Sequence, residues 1–175
     1  MQIALALPLG AEADSEWMDM EFTKALDPLQ LQQGLQPLLP PGITLLSVAE
    51  VPVSGPSLSQ EIRAAVWSFD VELKSGRTME WSSAIANLLA AEELMWHDTD
   101  KKGRPRSRDC RSVLRRLDVV SDPGDSRLRL RLEADVDSMG RSLRPSQIQH
   151  WLEEQVSAPI ALQSLKRDRL ELARC

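Results

Sequence analysis

The segment "RLRLRLEA", from Arg127 to Ala134, alternates polar and apolar side chains without a break, and that period fits a strand with one face in a core. Leu128, Leu130, Leu132 and Ala134 belong to the core face, while Arg127, Arg129 and Arg131 line the other. Such a strand requires neighbours to pair with and a layer to cover its apolar side. "AVWSFDVEL" provides one neighbour, with Trp67, Phe69, Val71 and Leu73 alternating against Ser68, Asp70 and Glu72, and "PIALQSLKRDRLELA" provides another. Trp81, Ile85 and Leu88 at helical spacing supply one covering helix. "RPSQIQHWLEEQV" supplies a second, with Pro145 near its start and Ile148, Trp151, Leu152 and Val156 on one face. A short strand in "ELMWH" and a basic loop complete the order strand, helix, short strand, basic loop, strand, helix, strand. This is the order of a ferredoxin-like α+β unit, an antiparallel sheet with its helices on one face, over residues 57–175.

Residues 1–56 are expected to form an incomplete first α+β unit that lacks its opening strand and helix, which would make the whole chain a tandem. "QIALALPLG" and "WMDMEFT" alternate and read as an antiparallel pair. Asp27 as cap, Pro28 at the first helical position and Gln30 three residues after the cap mark a helix start, with Leu31, Leu35 and Leu38 on one face. "PLLPPG" ends that helix, and "ITLLSVAEV" reads as a further strand. No repeat of sequence links the two halves; only the order of elements does.

Charge is partitioned along the chain. Residues 1–97 carry 4 Lys+Arg against 13 Asp+Glu, net −9, and residues 98–175 carry 17 against 13, net +4, within a total of −5. Eight cations fall between Lys101 and Arg116 with one acid, Asp109. Such a block serves a polyanion, docks on the acidic half, or is a solvated surface. The polyanion reading assigns Lys101, Lys102, Arg104, Arg106, Arg108, Arg111, Arg115 and Arg116 to phosphate contacts, with Arg127, Arg129 and Arg131 extending the patch over a sheet face. Aromatic residues for stacking are absent from Arg127 to Arg131; Trp96 and His97 are the nearest, and Trp96 reads as core.

Several classes are set aside. Cys110 and Cys175 are isolated, with no CxxC pair, so neither a disulfide framework nor a structural zinc site is expected, and the setting reads as cytoplasmic. The longest apolar runs, such as Leu88 to Ala91, fall far short of the roughly 20 residues of a membrane span. No GxGxxG, Walker loop or Ser-His-Asp order occurs, and no cofactor or metal is expected. Asp19, Glu21 and Glu16 read as a solvated edge or a dock for the basic block, since acid-base work needs a carboxyl of raised pKa. His97, beside the block, would be the base or acid of an RNA-cleaving enzyme, but no second group completes a pair, and His150 reads as surface.

The succession "LALPLG", "SEWMDMEF", "ALDP", "LPPGI", "EVP" with "PSL", and "KKGRPRSRDCRSV" resembles a bacterial domain of unknown function associated with radical-SAM proteins, either fused to them or encoded as a separate linked protein. The resemblance covers most of residues 3–120. Members generally carry a further stretch with a basic helix upstream of "LALPLG", and have Asp, an aliphatic residue, Arg and Pro where this chain has Asp109, Cys110, Arg111 and Ser112. It implies a radical-SAM domain or protein as partner. The chain lacks a CxxxCxxC motif, so the cluster of such enzymes would lie elsewhere. The expectation is therefore a non-catalytic accessory domain that binds RNA or another anionic substrate. A protein-docking module is the alternative, and an RNA-cleaving enzyme a weaker one.

Overall fold

The computed structural model describes residues 2–74, 81–100, 102–124, 127–137 and 140–173, with the backbone alone at 121–124. The elements are β1 (Gln2–Ile3), β2 (Glu12–Ala13), β3 (Met18–Asp19), α1 (Pro28–Leu35), α2 (Leu58–Glu61), β4 (Ile62–Leu73), α3 (Trp81–Ala90), β5 (Met95–Thr99), β6 (Pro105–Asp109), β7 (Leu114–Gly124), β8 (Arg127–Asp135), α4 (Pro145–Val156) and β9 (Ile160–Leu172).

The main sheet runs β2-β9-β4-β8-β7, and each neighbouring pair along β9, β4, β8 and β7 is antiparallel. Taking β4-α3-β7-β8-α4-β9 as one unit, its strands lie in the order fourth, first, third, second, the split βαβ arrangement of a ferredoxin-like fold. The expected α+β architecture is therefore present. Its alternating strands decide which face is covered: Trp67, Phe69 and Val71 of β4 and Leu128, Leu130 and Leu132 of β8 share one buried cluster with Trp81, Ala84, Ile85 and Leu88 of α3 and Ile148, Trp151 and Leu152 of α4. Leu130 and Leu132 have no solvent exposure, and truncating either to Ala is worth about 2–5 kcal/mol by the usual cost of a core cavity.

Three expectations are corrected. The second strand of the unit is β7, not the "ELMWH" piece, because β5 pairs only with β6 as a separate two-stranded sheet between α3 and β7. The basic segment is thus not one loop: Pro105–Asp109 is a strand, Arg111 lies in a 3-10 turn, and Arg115 and Arg116 belong to β7. Ile43 to Val51 forms no strand. Its backbone is taken by side chains of the preceding helical segment: Gln36 Oε1 accepts from Leu45 N at 2.9 Å, and Gln32 Nε2 reaches the carbonyls of Leu45 and Leu46 at 3.5 and 3.4 Å.

The expected pair near the N-terminus exists but is short, Gln2 opposite Asp19 and Ile3 opposite Met18. β2 adds to the main sheet in parallel with β9, an arrangement the alternation did not foreshadow. α1 starts as expected, with Asp27 accepting from Gln30 N at 2.9 Å and Pro28 at the first position, yet it buries no residue. Among the described residues before 57, Ala4 alone is fully buried in the core. No helix of the described residues is long and apolar enough to cross a membrane.

Candidate nucleic-acid interface

Beginning at the sheet, Arg127, Arg129 and Arg131 do occupy the face opposite the helices, but they face carboxylates across the strands. The register places Glu72, Asp70 and Ser68 of β4 opposite Arg127, Arg129 and Arg131. Asp70 accepts Arg127 Nη2 at 2.6 Å and Arg129 Nε at 2.7 Å, with its side chain 2% exposed. The Arg129 hydrogen bond, outweighing the burial that opposes it, holds the Asp70 carboxyl below the usual carboxylate range. On the neighbouring strands Arg115 is shared by Asp135, Glu133 and Glu171, at 2.6, 3.4 and 3.0 Å, and Arg116 meets Asp118 at 2.8 Å. The sheet face is a lattice of opposite charges, not a cationic plane.

The hairpin of β5 and β6 differs. Residues 97–111 hold six Lys+Arg and three Asp, net +3. Its base is anchored: Cys110 N donates to Leu94 O at 2.9 Å, Trp151 Nε1 to Met95 O at 3.0 Å, and Arg111 donates to the carbonyls of Ala91 and Leu89 at 3.0 and 3.1 Å. Trp96 packs edge-on against Trp151 and His150, with ring centroids 6.3 and 5.4 Å apart, and is half-buried against the core as its composition suggested. Beyond this base the strands project their cations. Trp96 faces Arg108 and Asp98 faces Arg106 in register, and by strand periodicity these four share one side of the ribbon. Arg106 forms a two-pronged pair with Asp98, 2.8 Å on each prong, and Arg104 pairs with Asp100 at 2.6 Å. The Arg104 and Arg106 side chains remain 73% and 44% exposed, so these solvent-screened pairs orient the guanidiniums and add little to stability.

The tip has a construction that the residue-by-residue reading overlooked. Asp100 N donates to Arg104 O, Gly103 N to Asp100 O, and the Asp100 carboxylate accepts Arg104 N and Nε at 3.0 and 2.7 Å. The same set recurs at Asp137, Gly140 and Arg141, with Asp137 accepting Arg141 N and Nε at 2.9 and 2.8 Å. Gly103 and Gly140 have φ of +76° and +73°, which a side chain would strain. The signal was legible: Asp-x-x-Gly-Arg occurs at both places.

Of the residues expected to meet a polyanion, Arg104, Arg106 and Arg108 come together on the hairpin with Lys102, whose backbone N–H is tied to Asp100. Arg111 is turned toward helix carbonyls, and Arg115, Arg116, Arg127 and Arg129 toward carboxylates. Arg131 lies on the sheet face opposite Ser68 and Asp118, and Lys101 falls outside the described residues. Among the described residues, the acids whose partners are seen near the N-terminus reach β9 and not the basic block. Glu16 instead grips Arg167, and Asp14 meets Lys166 at 2.9 Å. His97 is exposed, its Nδ1 2.7 Å from Ser107 Oγ, and His150 is exposed beside Glu154. No cluster of three His, Cys, Asp or Glu is placed to hold a metal among the described residues.

Fold and site together define an α+β domain with a ferredoxin-like sheet and an anchored cationic hairpin inserted before its second strand. The chain belongs to a family described as an uncharacterized protein conserved in bacteria (DUF2344), whose match spans residues 1–145. No curated protein and no solved structure matches it.

Proposed function

We propose that this chain is a non-catalytic accessory domain that engages RNA or another polyanion through the β5–β6 hairpin, beside a radical-SAM partner. The observation that carries the reading is the contrast between a sheet face whose cations are neutralised by facing acids and a hairpin that keeps a net positive charge with exposed guanidiniums. Pairs this exposed exchange readily for phosphate, because Arg presents a fork that matches either oxyanion. Trp96, in register with Arg108, adds an aromatic flank. The radical-SAM partnership is supported by the resemblance over residues 3–120. Binding of single-stranded RNA to the wild type and to an Arg104→Ala, Arg106→Ala, Arg108→Ala variant tests it. The proposal expects loss in the variant, and unchanged affinity would sink it.

A specific observation favours protein docking as a second reading. Residues 22–53 expose Phe22, Leu26, Leu29, Leu38, Leu46 and Val53, at 49%, 50%, 62%, 77%, 67% and 89%, in a segment whose helix buries nothing. Apolar exposure on this scale marks an interaction surface. Cross-linking to a co-expressed radical-SAM protein, with and without competing RNA, separates the readings: an apolar dock survives RNA, and a purely cationic one does not.

A further inference from the structure

Where the hairpin meets the turn before α4, a cavity of about 160 Å³ is lined by Arg108, Asp109, Ser112, Asp137, Arg141 and Ser142, with Cys110 and Val113 completing the wall. This is more than the 10–15 Å³ or so of accessible space that one water requires. Two buried polar atoms on its lining residues, Arg108 Nε and Ser142 Oγ, have no hydrogen-bond partner among the described residues. Both can donate, and an arginine nitrogen can do nothing else. Unmet buried donors in a native fold call for an acceptor that belongs there.

The carboxylates at the cavity are already engaged. Asp109 Oδ1 accepts the backbone N–H groups of Leu94 and Arg111 at 2.8 and 2.9 Å, and Asp137 is occupied by Arg141. Burial pushes the Cys110 thiol up, so it stays neutral at physiological pH, with Gln147 Nε2 3.8 Å from its sulfur. Arg108 takes part in no ion pair among the described residues. What remains is a lining of one guanidinium outside any of these ion pairs, beside the Cys110 thiol and with its Nε unmet, a second held by Asp137, and the hydroxyls of Ser112 and Ser142.

We infer that this cavity seats one phosphate group, held by Arg108, Arg141, Ser112 and Ser142. The inference rests on the polyanion reading of the same hairpin and deepens it: Arg104 and Arg106 steer an anionic chain, and the cavity at the base anchors a single phosphate. A strand's internal phosphodiester and a terminal phosphomonoester share this chemistry. Two guanidiniums facing one site favour the more highly charged monoester.

The test titrates the full chain with inorganic phosphate by calorimetry, and with one short single-stranded RNA, with and without a 5′-phosphate, by fluorescence anisotropy. Saturable binding of one phosphate per chain is expected, weakened about tenfold or more in Arg108→Gln and several-fold in Ser142→Ala. A 5′-phosphate that tightens RNA binding, with the gain lost in Ser142→Ala, identifies a strand end as the occupant. Equal binding of both RNAs, weakened alike by Ser142→Ala, identifies an internal phosphodiester. If phosphate binds and no RNA does, the cavity stands and the polyanion reading of the hairpin falls. If RNA binds with no dependence on Arg108 or Ser142 in a folded chain, or no ligand binds at all, the cavity assignment is wrong.

Discussion

The Arg129 guanidinium lies along the Asp70 carboxylate, Nε 2.7 Å from Oδ1 and Nη2 3.0 Å from Oδ2, across adjacent strands of the main sheet. Arg127 Nη2 donates to Oδ2 of the same carboxylate at 2.6 Å, so one buried acid engages two of the three arginines that the alternating strand presents. This relationship separates the two halves of the expected interface.

Replacing Asp70 with Asn leaves two arginines facing a neutral amide in a nearly closed site. A cost of about 1–3 kcal/mol is expected, since both arginines can turn to water. The Asp70 carboxyl is held below its ordinary value, so its contribution is fully present above about pH 4 and disappears as pH falls through the folded-state value. Urea unfolding of wild type and Asp70→Asn should therefore give a gap at pH 7 that narrows below pH 4.

Because Asp70 already satisfies them, Arg127 and Arg129 should matter little to RNA. Changing both to Ala is expected to alter affinity by less than about threefold, within the small worth of exposed charge contacts. Anisotropy of labelled RNA at one salt concentration measures this directly.

Arg167 has no solvent exposure, sits 5.1 Å above the Trp67 ring, and is held by Glu16 and by the Leu5 carbonyl at 2.7 Å. Removing only the acid leaves a buried unpaired cation. Glu16→Gln is expected to cost about 3 kcal/mol, the low end for a broken buried pair because Glu16 is partly exposed, and Arg167→Met to cost less. In the Arg167→Met background the Glu16 change should be nearly silent, as a double-mutant cycle by chemical denaturation would show.

Alternation made the core strands readable, since Leu128 to Ala134 and Trp67 to Leu73 each turn one face inward without interruption. β7 escaped the same reading because Arg115 with Arg116 and Val119 with Val120 break the period, and the strand absorbs them as register shifts after Leu114 and Val119. Ile43 to Val51 has the opposite history: it alternates, but a strand needs a paired neighbour, and glutamine side chains hold its backbone instead. The site was half legible. The cations were visible as composition, whereas their neutralisation depends on strand register, and the grip of Glu16 on Arg167 spans 151 residues with no local sign.

The apolar segment yields a prediction for the docking reading. Leu29→Gln and Leu38→Gln change side chains that touch no core, so stability should stay within about 0.5 kcal/mol of wild type while co-purification with a radical-SAM partner falls. A loss of stability as large as that of a core truncation would mean that these leucines serve the fold.

The most direct test of the central claim is the salt dependence of RNA binding by the wild type and by the chain with Arg104, Arg106 and Arg108 changed to Ala. Each phosphate contact on a single strand contributes about 0.7 to the slope of log K against log salt, so three lost contacts should lower that slope by about 2. A slope lowered by that amount, with weaker binding at every salt concentration, places the polyanion on the hairpin. An identical slope in the two proteins contradicts the account.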